Sequence, residues 1–371
     1  MELKEYRFDE VTINFDKKRI PLSGEQRKKR QGNFRYYGAQ GVIDHIDDFI
    51  FDGTYLLIAE DGENLKSKKQ NIAQVVEGQF WVNNHAHIVQ GNELCNTRYL
   101  CYLLNSMDLS GYVTGSAQPK LSQANLNAVT LFLPSITVQE RIVESLYLFD
   151  KKIAVNQKIN DNLQQQVAAL FANFYDRAET EVGFTEIIQI LGGGTPKTGE
   201  SSYWNGNVPF FTPKDVGSPY TLATEKTITE EGLAHCNSRL YPVNTVFVTA
   251  RGTVGKVGLP GIPMAMNQSC YALVGKDTHQ LLVYFYTLKA VDRLKHKASG
   301  AVFDAITTRD FESEIIMKLS DDDEKAFLDV AQPIYQAVLS NSIENLRLAA
   351  LRDSLLPKLM SGEIDVSGVQ L

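Results

Sequence analysis

The sequence predicts an α/β (α+β) protein built as a tandem repeat, in which each copy is a mixed α/β domain followed by one long helix. Two observations support this. A long amphipathic stretch recurs at an offset of 185 residues in a chain of 371, and short β-rich segments bounded by turn residues precede each occurrence. We expect a first domain at residues 1–135, a central helix at 136–178, a second domain at 179–319 and a distal helix at 320–371.

The domain segments of the two copies match at a series of short anchors. In chain order, Phe8–Val11 matches Phe184–Ile187, Lys18–Ser23 matches Gly193–Thr198, Gly32–Gly38 matches Gly206–Thr212, Leu56–Gly62 matches Val246–Gly252, and Gly115 and Leu121 match Gly300 and Ile306. Between the anchors the copies diverge and change length. Each domain is therefore expected to be a common frame with a variable filling.

Short elements can be predicted within this filling. Segments rich in β-branched and aromatic residues predict strands at Tyr55–Ile58, Val129–Leu133 and Thr245–Thr249, and apolar spacing predicts helices at Thr97–Leu104 and Leu281–Lys295. This mixture of short strands and helices indicates a mixed α/β domain with many loops.

The two long amphipathic stretches carry a heptad pattern, with steps that alternate between four and three residues. The first seam is Ile142, Leu146, Phe149, Ile153, Asn156, Asn160, Leu163, Val167, Leu170 and Phe174, and the second is Phe327, Ala331, Ile334, Val338, Asn341, Asn345, Leu348, Arg352, Leu355 and Leu359. Asn interrupts both seams at the same two places. A paired Asn layer costs stability but fixes the register of the helices. Pro333 should kink the second helix or mark its start.

Composition excludes several classes of protein. Hydrophobic residues make up 43% of the chain and charged residues 22%, which is typical of a folded protein and not of a disordered one. The formal net charge of −7 argues against a protein that simply coats nucleic acid. Residues 320–371 hold nine acidic and four basic residues, and hence five of the seven net negative charges. The two domains are nearly neutral, so basic surface must be sought locally.

The chain lacks the sequence marks of a membrane or secreted protein. No apolar run is long enough for a membrane span, and the polar N-terminus does not resemble a secretory signal. The four cysteines, Cys95, Cys101, Cys236 and Cys270, have no C-x-x-C spacing, so we expect reduced thiols in a cytoplasmic protein.

No recognisable catalytic motif is present in the sequence. Gly194–Ser201 has the length of a phosphate-binding loop, but Glu200 stands where lysine is required. The six histidines have no metal-ligand spacing, and there is no G-x-S-x-G elbow, amino-methyltransferase tetrapeptide or nuclease cluster. We therefore predict no catalytic residue and no metal site on this chain.

With these motifs in their order, the chain resembles the specificity (S) subunit of type I restriction–modification systems over essentially its whole length. The matching stretches are Lys18–Ser23, Tyr36–Gly41, Phe51–Gly53, Ala59–Gly62, Leu133–Pro134, Gln139–Val143, Gly193–Thr198, Tyr203–Asp215 and Leu351–Ile364. Each of these is weak alone. Their order on a 185-residue repeat is specific.

The resemblance implies a fold and a division of labour. Two target recognition domains would be separated by two long antiparallel coiled-coil helices with pseudo-twofold symmetry, and each domain would read one half of a bipartite double-stranded DNA site. A helix of about 36 residues spans roughly 54 Å, or about 16 base pairs. Two methyltransferase (M) subunits would supply catalysis with S-adenosylmethionine, and restriction (R) subunits would use ATP and Mg. The chain itself would hold no cofactor.

Phosphate contacts should come from lysine and arginine, and base contacts from side chains of the divergent fillings. The DNA-binding candidates are Arg27, Lys28, Lys29, Arg30, Arg35, Tyr36 and the neighbouring Tyr37 in the first domain, and Lys197, Lys214, Arg251, Lys256, Arg293, Lys295, Lys297 and Arg309 in the second. Replacement of the four residues Arg27–Arg30 with alanine should weaken DNA binding by the assembled methyltransferase and flatten its salt dependence, and an unchanged salt slope would contradict this assignment.

Three alternatives stay open at this level. A type IIB-like system, whose partner fuses methylation and cleavage, could use the same subunit. A coiled-coil adaptor could carry the repeat without contacting DNA. A self-sufficient enzyme is a third class, which an activity assay on the purified chain would test.

Overall fold

The computed structural model describes residues 2–67, 70–115, 118–217, 219–297, 305–364 and 366. The anchor residue Gly300 lies outside the described residues. The chain divides into two compact units: unit 1 is Met1–Lys151 with Leu348–Leu371, and unit 2 is Lys152–Arg347. Each unit thus takes one domain segment together with parts of both long helices. The division into four segments at residues 135, 178 and 319 stays a prediction.

Unit 1 is built on a mixed six-stranded sheet. Its elements are β1 (Lys4–Arg7), β2 (Thr12–Asn14), α1 (Gly24–Lys29), β3 (Gln31–Gly38), β4 (Gly41–Ile46), β5 (Phe51–Ala59), α2 (Asn64–Ser67), β6 (Ala73–Val82), β7 (Ala86–Gly91), α3 (Thr97–Ser106), α4 (Gln123–Asn127) and β8 (Thr130–Leu133). The strand order in the sheet is β2-β7-β5-β6-β3-β4, and β1 pairs separately with β8. Leu56 and Ile58 of β5 pack into one buried cluster and Leu57 into another, so both faces of the strand are covered and its segment Leu56–Ala59 is buried without alternation.

Unit 2 contains a five-stranded sheet, a three-stranded sheet and a two-stranded pair. The elements that follow β8 are α5 (Ile136–Asp176), β9 (Thr180–Gly183), α6 (Phe184–Ile187), β10 (Ile188–Gly192), β11 (Trp204–Phe211), β12 (Tyr220–Thr221), β13 (Lys226–Ile228), α7 (Glu230–Ala234), β14 (Val246–Thr249), β15 (Val257–Pro260), β16 (Ala265–Met266), β17 (Cys270–Gly275), α8 (Gln280–Lys297), α9 (Thr308–Glu312), β18 (Ile315–Lys318) and α10 (Asp321–Ser361). The sheets have the orders β10-β17-β14-β15-β12, β13-β11-β16 and β18-β9.

The predicted elements are confirmed with small shifts at their ends. The three predicted strands lie within β5 or coincide with β8 and β14 to within a residue. The two predicted short helices are α3 and α8, and Asn96 caps α3 by accepting the backbone N–H groups of Arg98 and Tyr99 at 2.9 and 3.2 Å. Pro333 lies inside α10, which continues from Asp321 through it, so Pro333 does not mark the helix start.

The predicted seams are the packed faces of the two long helices, α5 and α10. All twenty seam positions are buried or partly buried. Within unit 2, Phe171 lies against Phe327 while Asn156 lies against Asn345, so the two helix segments run antiparallel there. Within unit 1, seam residue Arg352 donates to the Asp150 carboxylate at 2.6 Å.

The two Asn interruptions pair with each other across unit 2. The Asn156 amide N–H donates to Asn345 Oδ1 at 2.9 Å and to Glu344 Oε2 at 2.6 Å. The Asn341 amide N–H donates to Asn160 Oδ1 at 2.8 Å. Both predicted polar layers therefore exist. Because each amide finds its partner in one alignment only, the layers fix the register of the helices.

Replacement of Asn160 with leucine is expected to lower the free energy of unfolding by about 1–3 kcal/mol, because the Asn341 N–H loses its acceptor in the seam. The double replacement Asn160→Leu, Asn341→Leu should regain most of this loss, since an all-apolar layer leaves no unpaired amide. Denaturant unfolding of the full chain measures both variants. Lys158→Ala, an exposed position two residues away, is the control and should change little. A single variant as stable as the parent would contradict the pairing.

Candidate nucleic-acid interface

The basic run Arg27–Arg30 of unit 1 lies on α1 and its C-cap, and two of its four cations pair with acidic neighbours. Ser23 caps α1 by accepting the Gln26 backbone N–H at 3.2 Å. Arg27 Nε lies 3.0 Å from Asp44 Oδ2, and Arg30 forms an ion pair with Asp47 at 2.9 Å. Asp44 lies on β4 and Asp47 lies just after it, so each aspartate is 17 residues from its arginine in the sequence.

Two lysines of this run remain exposed. Lys28 and Lys29 form no ion pair within the described part of the chain. The change in salt slope expected for the four alanine substitutions should therefore come mostly from these two lysines.

Two further candidates of unit 1 are engaged by the protein itself. Tyr36 is fully buried, its hydroxyl accepts the Leu22 backbone N–H at 2.9 Å, and its ring lies under the Arg27 guanidinium. A side chain without exposed surface cannot contact DNA, so Tyr36 is corrected to a residue that supports Arg27. Tyr37 is also buried. Arg35 is exposed and donates to the Glu77 carbonyl at 2.6 Å.

In unit 2, the sheet register brings several loops to one end of the five-stranded sheet. Gly192 at the end of β10 pairs with Tyr271, Thr249 at the end of β14 pairs with Cys270, and Val248 pairs with Val257. The loops 193–203, 250–256 and 267–269 therefore lie side by side. We call this region the loop end of unit 2.

Two more segments join the loop end. The Asn267 backbone N–H donates to the Phe211 carbonyl at 3.0 Å, and Thr253 Oγ1 donates to the Pro213 carbonyl at 3.1 Å, which brings in residues 212–217. The Ile306 N–H donates to the Ala250 carbonyl at 2.9 Å, which brings in the segment that precedes α9. The Asp215 carboxylate braces the first of these segments by accepting the Thr212 and Glu225 backbone N–H groups, both at 2.8 Å.

The loop end gathers candidates that are scattered in the sequence. They are Lys197, Lys214, Arg251, Lys256 and Arg309, and all five are exposed. None of them forms an ion pair within the residues that the structure describes. Lys295 packs beside them, against Gly255. A Cβ atom built on Gly255 would lie only 2.6 Å from the Cε atom of Lys295. The loop end thus gathers five cations that form no ion pair among the described residues, on a chain whose net charge is −7.

Two candidates of unit 2 lie elsewhere. Lys297 and Arg293 both pair with the buried carboxylate of Glu314, and the Arg293–Glu314 distance is 3.1 Å. Arg293 also donates to the Ile315 carbonyl at 2.5 Å. One buried acid holds both cations, so they anchor α8 to the start of β18, and the carboxylate neutralises one of their two positive charges.

The cysteines are free and poorly suited to chemistry. Burial raises the pKa of Cys95, Cys101 and Cys270 to about 12, so these thiols are protonated at neutral pH. In the described ranges, no group of three or more His, Cys, Asp or Glu side chains is arranged to hold a metal ion. No helix among the described residues is long and apolar enough to cross a membrane.

Comparison with known proteins explains the repeated frame. The family model for the type I restriction modification DNA specificity domain matches residues 2–165 and again residues 180–324. The chain belongs to this family. Both copies of the specificity domain found by this match correspond to the tandem repeat predicted from the sequence.

Individual relatives agree with this assignment. A putative type I restriction enzyme specificity subunit of Haemophilus influenzae is 35% identical over 138 residues, which is 37% of this chain and 35% of that protein. The HindI specificity subunit of the same organism is 23% identical over 401 residues and covers 84% of each chain. For the first of these and for the MjaIX specificity subunit of Methanocaldococcus jannaschii, the chain spans about a third of the relative's length.

A solved structure shares the fold. The S subunit of a type I restriction–modification system from M. genitalium superimposes with a TM-score of 0.57 at 13% identity, covering 97% of this chain and 96% of that one. At this level of identity the likeness supports the fold alone.

The specificity domain of unit 1 also contains a buried charged network, which sequence reasoning treated only as ordinary histidines. His87 Nδ1 lies 2.6 Å from Asp16 Oδ2, and His87 Nε2 lies 2.9 Å from the Leu121 carbonyl. Both ring nitrogens face acceptors, which suits the doubly protonated ring. Arg19 lies 3.4 Å from Asp16 and 3.1 Å from Glu60.

The pKa values of the pair follow from this geometry. Burial alone would lower the pKa of His87, but the hydrogen bonds to Asp16 and Leu121 and the charges of Asp16 and Glu60 outweigh it and raise the pKa. Burial alone would raise the pKa of Asp16, but its bonds to His87 and the Ile88 N–H, with the charges of His87 and Arg19, lower it. The signal in the sequence was weak, because nothing near His87 in the chain reveals Asp16 as its partner.

Stability of unit 1 should therefore depend on pH in a defined window. The His87 contribution is complete below the unfolded-state pKa of about 6.5 and is lost as pH rises through the raised folded-state pKa. The Asp16 contribution is complete above about pH 4 and is lost as pH falls through the lowered folded-state pKa. His87→Gln should cost about 1.5–3 kcal/mol at pH 6 and should flatten the decline above pH 6.5. The measurement is urea unfolding at a series of pH values.

The exposed His45 provides the matched control for this prediction. His45→Gln should leave both the stability and the shape of the pH profile close to those of the parent. An unchanged profile in the His87 variant would show that the ring is not charged in the folded state.

Proposed function

We propose that this chain is the DNA sequence-recognition subunit of a type I restriction–modification complex, in which each specificity domain reads one half of a bipartite double-stranded site. The observation that carries the proposal is the loop end of unit 2, where five exposed cations lie together without acidic partners in the described part of the chain. Such a surface suits the phosphate backbone of DNA. Membership of the specificity-domain family supports the same function.

The acidic balance of the chain is compatible with this function. Asp321, Asp322, Asp323 and Glu324 form the first turn of α10, where carboxylates interact favourably with the positive end of the helix dipole. This acidic cluster has a structural reason to be there. These carboxylates belong to α10, whereas the five cations of the loop end lie on other segments.

The proposal assigns catalysis to partners. Two methyltransferase subunits would use S-adenosylmethionine, and restriction subunits would use ATP and Mg, in a cytoplasmic complex. Exposed Val155 and Ile159 lie one turn apart on α5 and offer an apolar surface for such a partner to cover. This chain would contribute binding and positioning, since its buried thiols are protonated and carry no evident chemistry.

The test is to coexpress the full chain with a type I methyltransferase subunit from its own genome in a host without adenine methylation, and to sequence the methylated genome. We expect a bipartite motif that appears only when both proteins are present. Methylation by the chain alone would overturn the non-catalytic assignment. Methylation whose motif does not depend on this chain would instead indicate an adaptor without DNA contact.

A further inference from the structure

The two specificity domains contain the same tight turn at the same place. In unit 1 the turn 83–85 precedes β7, and in unit 2 the turn 267–269 precedes β17. The His85 backbone N–H donates to Asn83 Oδ1 at 2.8 Å, and the Ser269 backbone N–H donates to Asn267 Oδ1 at 3.0 Å. Each turn is thus closed by an asparagine side chain in the same way.

The surroundings of the two turns are held by matching backbone bonds. The Asn83 N–H donates to the Tyr37 carbonyl and the Asn267 N–H to the Phe211 carbonyl, both at 3.0 Å. The last residue of each turn is also held in the same way in both units. The Glu60 N–H donates to the His85 carbonyl at 2.9 Å, and the Ala250 N–H donates to the Ser269 carbonyl at 2.8 Å.

A third segment of the frame, which makes an isolated β-bridge in each unit, is also repeated. The Leu121 N–H donates to the Glu60 carbonyl at 2.8 Å, as the Ile306 N–H donates to the Ala250 carbonyl at 2.9 Å. The internal repeat therefore supplies two examples of one rigid backbone frame. Positions on it can be compared directly between the units.

The side chains on this common frame differ. The corresponding pairs, unit 1 first, are Asp61 and Arg251, Asn84 and Gln268, His85 and Ser269, and Lys120 and Ala305. All are exposed except Asp61 and Ser269, which are partly exposed. Reading two different half-sites requires a constant backbone that carries different side chains in the two units. The reason is that contacts to base edges distinguish DNA sequences, whereas contacts to phosphates do not.

We infer that these turns, together with the adjoining position held by Asp61 in unit 1 and Arg251 in unit 2, are the base-reading elements of the two specificity domains, with Asn84 determining specificity in unit 1 and Gln268 and Arg251 in unit 2. The inference rests on the function proposed above and names its specificity-determining residues. Asn and Gln amides bond both the N6 and N7 edges of adenine, and Arg bonds O6 and N7 of guanine. We therefore assign adenine to Asn84 and Gln268, and guanine to Arg251.

The geometry around Gln268 suits this role. The Thr195 hydroxyl hydrogen-bonds to Gln268 Oε1, so the amide is oriented, and the second lone pair of that oxygen and the Nε2–H groups remain available. Arg251 is the next residue after Ala250, whose N–H bonds to the turn. The neighbouring Lys197, Lys214 and Lys256 would contact phosphates and hold the turn against the base edges.

The experiment uses the complex of the full chain with its methyltransferase and reads the methylated motif of each variant by genome sequencing. Gln268→Ala and Arg251→Ala should each relax one position of one half-site, with a loss of discrimination of roughly 5- to 150-fold. Asn84→Ala should relax the other half-site. Gln268→Glu should shift that position from adenine toward cytosine, because a carboxylate accepts from cytosine N4.

Each variant carries its own control, since the half-site read by the other unit should stay unchanged. Gln189→Ala, an exposed amide on β10 of the same sheet, should leave both half-sites intact. For a variant too weak to methylate, selection of bound duplexes from a random pool gives the same reading. A parent motif with unaltered half-sites in the Gln268, Arg251 and Asn84 variants would overturn the inference alone. The absence of any motif dependent on this chain in the parent would instead overturn the proposed function.

Discussion

Replacement of Phe171 with alanine should lower the free energy of unfolding of unit 2 by about 3–5 kcal/mol. Phe171 is 2% exposed, and its ring centroid lies 4.9 Å from that of Phe285 and 5.4 Å from that of Phe327. It therefore joins α5, α8 and α10 in one aromatic cluster, and rigid helices cannot close the cavity that alanine leaves. Denaturant unfolding of the full chain, with hydrogen exchange to assign the loss to unit 2, measures the effect.

Phe132 offers the matched control, because the same substitution there removes a ring that is 53% exposed. Phe132→Ala should change the free energy of unfolding by about 0.5 kcal/mol or less. If the two variants lost equal stability, the aromatic cluster would not be the core of unit 2.

Replacement of Lys197, Lys214 and Lys256 with alanine together should weaken binding of the methyltransferase complex to duplex DNA without changing its preferred motif. If each lysine neutralises one phosphate, the salt slope should become shallower by about 2.7, and the affinity should fall by roughly 10²- to 10³-fold at 0.1 M salt. The reason is that all three lie at the loop end of unit 2 with no acidic partner in the ranges described. Titrations at several salt concentrations measure both quantities.

A charge-matched control separates this local effect from a change in net charge. Lys158, Lys276 and Lys325 are exposed and lie on α5, beyond the far end of β17 and on α10. Their joint replacement with alanine removes the same charge and should leave the salt slope nearly unchanged. An equal decrease in both triple variants would contradict the assignment of the loop end as the DNA surface.

Much of the fold could be predicted because its signals are local or periodic. The heptad spacing predicted both long helices and their buried faces, and the coincidence of the Asn interruptions predicted paired polar layers. The structure decides the partners, Asn156 with Asn345 and Asn160 with Asn341. These predictions hold since helix periodicity depends on residues only three or four apart. The matched anchors predicted a common frame because a repeated sequence is expected to repeat its fold.

The candidate interface could be predicted only in part. Basic residues can be read from the sequence, but their partners cannot: Arg27 is matched by Asp44, and Lys297 by Glu314. Tyr36 is aromatic and next to Arg35, which suggested a surface role, yet β3 turns its ring into the core. The repeated turns were missed, although Asn83 and Asn267 stand at the same distance before Gly91 and Gly275, which was an available signal.

The sequence by itself determined the tandem architecture, the two helical seams with their polar interruptions, and the family to which the chain belongs. Tertiary structure alone decided which cations stay free, that Lys197, Lys214, Arg251, Lys256 and Arg309 share one end of a sheet, and that two Asn-closed turns occupy equivalent frames. The physical reason is the distance along the chain between the residues that interact. Helix faces follow from neighbours in the chain, whereas charge compensation and loop proximity depend on strand register between segments tens of residues apart.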